Sequence, residues 1–168
     1  MSHAAREHKE HAPRSVAFAI VTVSDSRDLA RDESGGLLAE LAQKAGHRVA
    51  RRTLVRDEPA QIQAALREAL AEEVDAILFT GGTGVARRDV TVETLLPRFA
   101  KHIAGFGELF RSLSFASIGS AAMASRAEAG VIDRRLVFLL PGSPDACRLA
   151  MERLILPEVG HLAGLLRR

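Results

Sequence analysis

Residues 80–84, Thr80-Gly81-Gly82-Thr83-Gly84, carry chemistry in their composition. Glycines let the backbone approach a ligand closely and reach positive φ without steric cost, and the N–H groups they expose suit anionic oxygens. Two familiar phosphate loops do not fit. A Walker loop ends in Lys followed by Ser or Thr, whereas Arg87, Arg88 and Asp89 stand in that region. A dinucleotide fingerprint needs a third glycine, and Gly82-Thr83-Gly84 runs instead into Val85, Ala86 and Arg87. Asp89 is the informative member of the stretch, because a carboxylate beside two arginines in a phosphate-type loop repels its substrate unless a cation joins them. Magnesium, which takes oxygen ligands and is held by one or two carboxylates with phosphates and water, resolves that conflict. The competing reading is that Asp89 caps the next helix, with Thr91 as a rival cap.

Three further short segments have comparable residue types: Ser24, Asp25 and Ser26; Asp57 and Glu58; and Pro141, Gly142 and Ser143. Each alone has a plain structural explanation, Asp57 as a helix cap before Pro59 and Pro141-Gly142 as a turn. Together they amount to carboxylates, hydroxyls, loop amides and two arginines, a set suited to phosphates and a metal.

The elements that must position these segments follow from hydrophobic period. Residues 15–24, SVAFAIVTVS, form a β-branched apolar run expected of a strand buried on both faces. Ser34 is placed to cap a helix whose Leu37, Leu38, Leu41, Ala42 and Ala45 share a side before Gly46 ends it. A strand over residues 47–55 comes next. Pro59 then opens a helix with Ile62, Ala65, Leu66, Ala69 and Leu70 at amphipathic spacing. Residues 75–80 give a third strand, and helices are expected from near Thr91 and between Phe106 and Phe115. Residues 127–132 and 135–140 read as strands joined by a tight turn at Asp133 and Arg134. Cys147, Ala150, Met151, Leu154 and Ile155 repeat at helical spacing after Pro144, so Cys147 belongs to a buried stripe. Strands alternating with helices imply an α/β fold, a mostly parallel sheet with helices on both faces. Ligands of such sheets bind beyond the carboxyl ends of the strands, which is where all four segments fall.

Composition narrows the function classes. A length of 168 residues suits one domain, expected over residues 15–168 behind a disordered polar leader at residues 1–14. A net charge of +2, with basic residues scattered, argues against a nucleic-acid partner. No apolar run is long enough to span a membrane and no signal-peptide core precedes residue 15. One cysteine, unable to form an internal disulfide, fits a reducing compartment, so the expected location is the cytoplasm.

Five segments in order, TVSDS at residues 22–26, TGGTGVARRDVT at 80–91, GFGELFRSLSF at 105–115, SRAEAGVI at 125–132 and LPGSP at 140–144, give the chain its family likeness. It resembles the molybdopterin-binding MoaB/MogA family, related to the molybdopterin-adenylylating domains of plant Cnx1 and animal gephyrin. FRSLSF and LPGSPDAC look like the MoaB branch and ARRDVT like the MogA branch. The resemblance implies a three-layer α/β/α fold, a trimer or hexamer, other cofactor-assembly proteins as partners, and magnesium-dependent adenylyl transfer from ATP to the terminal phosphate of molybdopterin. Two acidic positions of active members fall on Asp57 and Asp89, both present, which favours a competent enzyme with these as catalytic and metal-holding residues. Carried over as pterin or nucleotide contacts are Ser24, Asp25, Gly81, Gly82, Thr83, Gly84, Arg87, Arg88, Ser114, Ser125, Arg126, Pro141, Gly142 and Ser143. Val85 and Val92 stand where the MogA pattern has proline, which implies a less rigid loop. The alternatives are a non-catalytic molybdopterin carrier or scaffold, and a generic nucleotide-binding module.

Overall fold

The computed structural model describes residue 13, residues 15–26 and residues 28–167. The expected leader therefore lies, Pro13 apart, outside the described residues. In chain order the elements are β1 (Ala17–Val23), α1 (Glu33–Lys44), β2 (Arg48–Val55), α2 (Pro59–Ala71), β3 (Ala76–Thr80), α3 (Thr91–Leu95), β4 (Lys101–His102), α4 (Ala104–Ile118), β5 (Glu128–Ile132), β6 (Arg135–Leu140), α5 (Pro144–Ala150) and α6 (Leu156–Arg167). Six strands make one sheet in the order β2-β1-β3-β6-β5-β4. The first four are mutually parallel, and β5 runs antiparallel to both its neighbours.

Alternation along the strands divides the core between two faces. Phe18 and Ile20 of β1, Leu78 of β3 and Phe138 of β6 pack with Leu38 of α1, Phe110 of α4 and Ile155 and Val159 near the carboxyl terminus. Ala19, Val21, Ile77, Phe79 and Val137 point the other way, onto Ile62 and Leu66 of α2 and Leu95 of α3. Helices thus cover both faces, the three-layer α/β/α arrangement expected, with the site segments at the carboxyl ends of β1, β2, β3 and β6.

Local chemistry explains most boundaries. Asp133 and Arg134 have φ of 45° and 60°, the left-handed pair that a two-residue hairpin between β5 and β6 requires. Between α5 and α6 the chain passes through a π-helical turn, Met151–Ile155, just before Pro157, whose missing N–H cannot serve an ordinary helical ladder. Cys147, Ala150, Met151 and Ile155 are buried there as their spacing requires.

Several helix starts differ from expectation. Asp32, not Ser34, caps α1: its side chain accepts from Gly35 N–H, while Ser34 Oγ reaches the Gly142 carbonyl at 2.8 Å. Glu58, without a side-chain cap bond, precedes α2, so Asp57 is not a cap. Val90 holds that position before α3, so neither Asp89 nor Thr91 caps it. The helix expected from Thr91 is only five residues long before a 3₁₀ turn, Leu96–Arg98. The two-residue edge strand β4 was not foreseen, being too short to show a period.

Candidate functional site

The rim is built by close backbone approach. Gly81 N–H donates to the Leu140 carbonyl at 3.0 Å, and Ser24 N–H to the Val55 carbonyl at 2.9 Å. These two bonds join the ends of β3 to β6 and of β1 to β2. Gly81 has φ +102°, and a Cβ there would collide with the Val23 carbonyl oxygen. Gly82, at φ +62°, lies so close to Asp57 that a Cβ would sit 2.7 and 2.8 Å from its two carboxylate oxygens and against Thr91 Oγ1. These two positions need glycine for both conformation and space. Thr91, fully buried, donates Oγ1 to the Gly81 carbonyl at 3.0 Å and closes the loop.

The expected residues fall into two adjoining groups. Gly81, Gly82, Thr83, Gly84, Asp89, Ser114, Ser125, Pro141, Gly142 and Ser143 line one cavity of about 490 Å³, together with apolar Phe110, Ile118, Ala121, Ala124 and Ala146. Ser125 Oγ is buried with no hydrogen-bond partner, whereas Ser114 Oγ donates to the Phe110 carbonyl at 2.8 Å. Ser143 Oγ accepts from Ala146 N–H and caps α5.

Asp25, Asp57 and Arg88 form the other group, outside that lining. Arg88 pairs with Asp25 at 2.5 Å, and Asp25 Oδ1 accepts from Asp57 N–H at 3.4 Å. Asp57 Oδ1 accepts from Val90 N–H at 3.2 Å. Burial pushes the Asp57 carboxyl above the usual carboxylate range, and the charges of Asp89 and Asp25 add to this against the Val90 N–H and Arg88. Asp89 Oδ2 accepts from Ala86 N–H at 2.8 Å, so it closes a turn in its own loop. Arg87 is exposed on that loop, and Ser24 Oγ accepts weakly from Ser26 N–H.

Among the described residues no three His, Cys, Asp or Glu side chains converge to hold a metal by themselves. The donors nevertheless fit magnesium: like-charged carboxylates crowd Asp57, and this ion is ordinarily completed by phosphate and water rather than by an all-protein cage.

Sequence reasoning missed two features. Asp32, 5% exposed, accepts from Thr22 Oγ1 at 2.8 Å, Gly35 N–H at 2.9 Å and Arg52 Nη2 at 3.1 Å, so it anchors α1 between the ends of β1 and β2. Arg126 has a second kind of partner in the glycine loop: it donates to the carbonyls of Thr83, Gly84 and Asp89 and to the Glu93 carboxylate. Asp32, three residues before Gly35 and directly ahead of the helical period, was a legible cap signal for the first. Nothing local signalled the second.

Fold and rim together define an α/β protein with a glycine-walled cavity and a carboxylate cluster side by side at the carboxyl ends of its strands, the usual position for ligands in such sheets. The chain belongs to the MoaB/MogA family of molybdenum cofactor biosynthesis proteins: residues 19–161 match the family model described as a probable molybdopterin binding domain. It is 49% identical over 164 residues to molybdenum cofactor biosynthesis protein B of Bacillus cereus, covering 96% of this chain and 97% of that one. A crystal structure of a molybdenum cofactor biosynthesis protein B superposes with a TM-score of 0.90 at 49% identity, over 94% of this chain and 99% of the other. The tungsten cofactor synthesizing protein MoaB from Pyrococcus furiosus gives 0.85 at 36% identity, over 94% and 100%. Among the described residues no helix is long and apolar enough to cross a membrane.

Proposed function

We propose that the chain is a cytoplasmic molybdopterin adenylyltransferase. It binds molybdopterin and ATP, the terminal phosphate oxygen of molybdopterin attacks the α-phosphorus of ATP, the bond to the β-phosphate breaks, and pyrophosphate leaves. The nucleophile is already ionised near neutrality, so the protein's work is positioning and charge neutralisation rather than proton abstraction.

One observation carries this reading: the two-part rim. The cavity, with an apolar side and hydroxyls at Thr83, Ser114 and Ser125, suits a flat heterocycle with polar edges. Asp57 reaches the same loop through Val90, next to the cavity-lining Asp89, which suits the phosphate end. Asp57 and Asp89 would hold a magnesium ion directly or through water, and that ion when bound neutralises nucleotide phosphate charge. Arg88 and the exposed Arg87 stand ready for the departing pyrophosphate. Leu109, Phe115, Ile118 and Met123, on and just after α4, are 57–84% exposed, an apolar surface suited to assembly of copies into a trimer or hexamer.

Asp89→Asn tests the reading against the carrier alternative. Asparagine keeps an oxygen for the Ala86 N–H, so the turn survives while the charge is lost. Transfer should fall by roughly two orders of magnitude or more, with molybdopterin binding retained. Near-normal transfer of adenylate to molybdopterin by the variant removes the metal-site assignment, and no transfer by the parent protein leaves the carrier.

A further inference from the structure

The guanidinium of Arg126 gathers three backbone carbonyls from one short loop. Its Nε donates to Thr83 O at 3.2 Å, and its Nη2 donates to Gly84 O and, at 3.2 Å, to Asp89 O. Glu93, on the first turn of α3, grips the same group, accepting from Nη1 at Oε1 and from Nη2 at Oε2, the latter at 3.3 Å. The pair is half-open to solvent, with Glu93 56% exposed, so as an ion pair it adds little to stability. Its geometric effect is larger. A trans peptide unit is planar, with its carbonyl and its N–H pointing in opposite directions. Arg126 holds the carbonyl of the Asp89–Val90 unit, and the N–H of that same unit is the one that Asp57 accepts at 3.2 Å. Holding Thr83 O and Gly84 O likewise turns the Gly84 and Val85 N–H groups away from Arg126. Thr83 and Gly84 both line the cavity.

We infer that Arg126, steadied by Glu93, is a positioning residue: it sets the planes of the 83–84, 84–85 and 89–90 peptide units, and through the last of these the place of Asp57, without itself touching substrate. The kinetic consequence rests on the adenylyl-transfer reading, whereas the geometric one does not.

The test uses the full chain and four readouts: hydrogen exchange at the Val90 amide, molybdopterin affinity, and kcat and KM for transfer. Arg126→Ala should speed Val90 exchange by about tenfold or more, since the peptide unit loses its second anchor. It should lower kcat by on the order of a hundredfold while molybdopterin affinity stays within about threefold. Arg126→Lys, a point donor that reaches fewer carbonyls at once, should recover only part of the rate. Glu93→Ala, at an exposed position, should move exchange and kcat in the same direction by less, and it carries the test if Arg126→Ala does not fold. Unchanged Val90 exchange in Glu93→Ala overturns the inference. So does a molybdopterin affinity at least about tenfold weaker in Arg126→Ala with Val90 exchange unaltered, which would make Arg126 a ligand contact. Faster exchange in both variants of a parent protein that shows no transfer upholds the clamp and removes the transferase reading.

Discussion

Gly82→Ala tests how the rim is built, because its cost separates into parts that a second glycine isolates. Gly82 has φ +62°, and a Cβ there would lie 2.7 Å from Asp57 Oδ1 and against Thr91 Oγ1. Gly46, which ends α1, has φ +82° and open space around the added carbon. Left-handed backbone at a non-glycine residue costs roughly 1–2 kcal/mol. That is the whole cost for Gly46→Ala. For Gly82→Ala overpacking adds about 1–3 kcal/mol, and loss of the Thr91 to Gly81 hydrogen bond about 1 kcal/mol more. Thr91 is fully buried and cannot retreat, so it supplies most of the strain. Asp57 sits at the rim and can swing away, a movement that costs little stability but displaces a proposed metal-holding carboxylate.

Urea unfolding of the two variants beside the parent provides the difference, which should be about 2–4 kcal/mol in the direction of a less stable Gly82→Ala. Adenylyl transfer should fall in Gly82→Ala and persist in Gly46→Ala. If Gly82→Ala is no more destabilising than Gly46→Ala, the loop has room that the geometry denies it, and the account of glycine at this position is wrong.

Asp57→Asn should trade activity for stability. Burial raises the Asp57 pKa in the folded protein, so its contribution is fully present below the ordinary carboxylate pKa and is lost as pH rises through the raised value. The melting temperature of the variant relative to the parent should therefore climb between acid and neutral pH, and a flat difference contradicts the burial argument. Cys147→Ala should cost about 1–2 kcal/mol, since the thiol is fully buried beside Thr80 Oγ1 at 3.2 Å, with transfer nearly intact. Loss of turnover with the fold preserved would give the thiol a role it is denied here. Light scattering at micromolar concentration should show a trimer or hexamer, and a monomer would leave the apolar surface of α4 without its proposed occupant.

What the sequence made legible was periodic or covalent in origin. β6, Arg135–Leu140, agrees with the apolar run to the residue, and the Asp133-Arg134 turn follows from a two-residue gap between β-branched segments. The glycines of the rim were readable because their freedom is a local property. Helix caps were less so: Asp32, Ser34, Asp57, Asp89 and Thr91 all have capping side chains, and only Asp32 among them caps a helix. Tertiary partners decide such competitions, Gly142 claiming Ser34 and Val90 claiming Asp57. Arg126 was out of reach for the same reason. Its acceptors Thr83, Gly84 and Asp89 lie 37–43 positions away and are backbone atoms, which leave no mark on residue type.

Those tertiary claims also explain how the rim can be shaped before any ligand arrives. The Asp32 carboxylate ties α1 to Thr22 and Arg52, and the first turn of α1 in turn ties the Pro141 to Ser143 segment through Ser34. Thr80 Oγ1 holds the same segment from β3, donating to the Pro141 carbonyl at 2.9 Å. The glycine loop has its own ties in Thr91 and Arg126. Each segment of the rim is thus hydrogen-bonded to an element that does not line the cavity or to a neighbouring segment. A ligand entering such a site meets amides and carbonyls whose ordering belongs to folding rather than to binding, which favours affinity without additional contacts. It also confines the substitutions that should disturb ligand binding most to residues with two kinds of partner, the rim on one side and the core on the other: Asp32, Thr80 and Thr91.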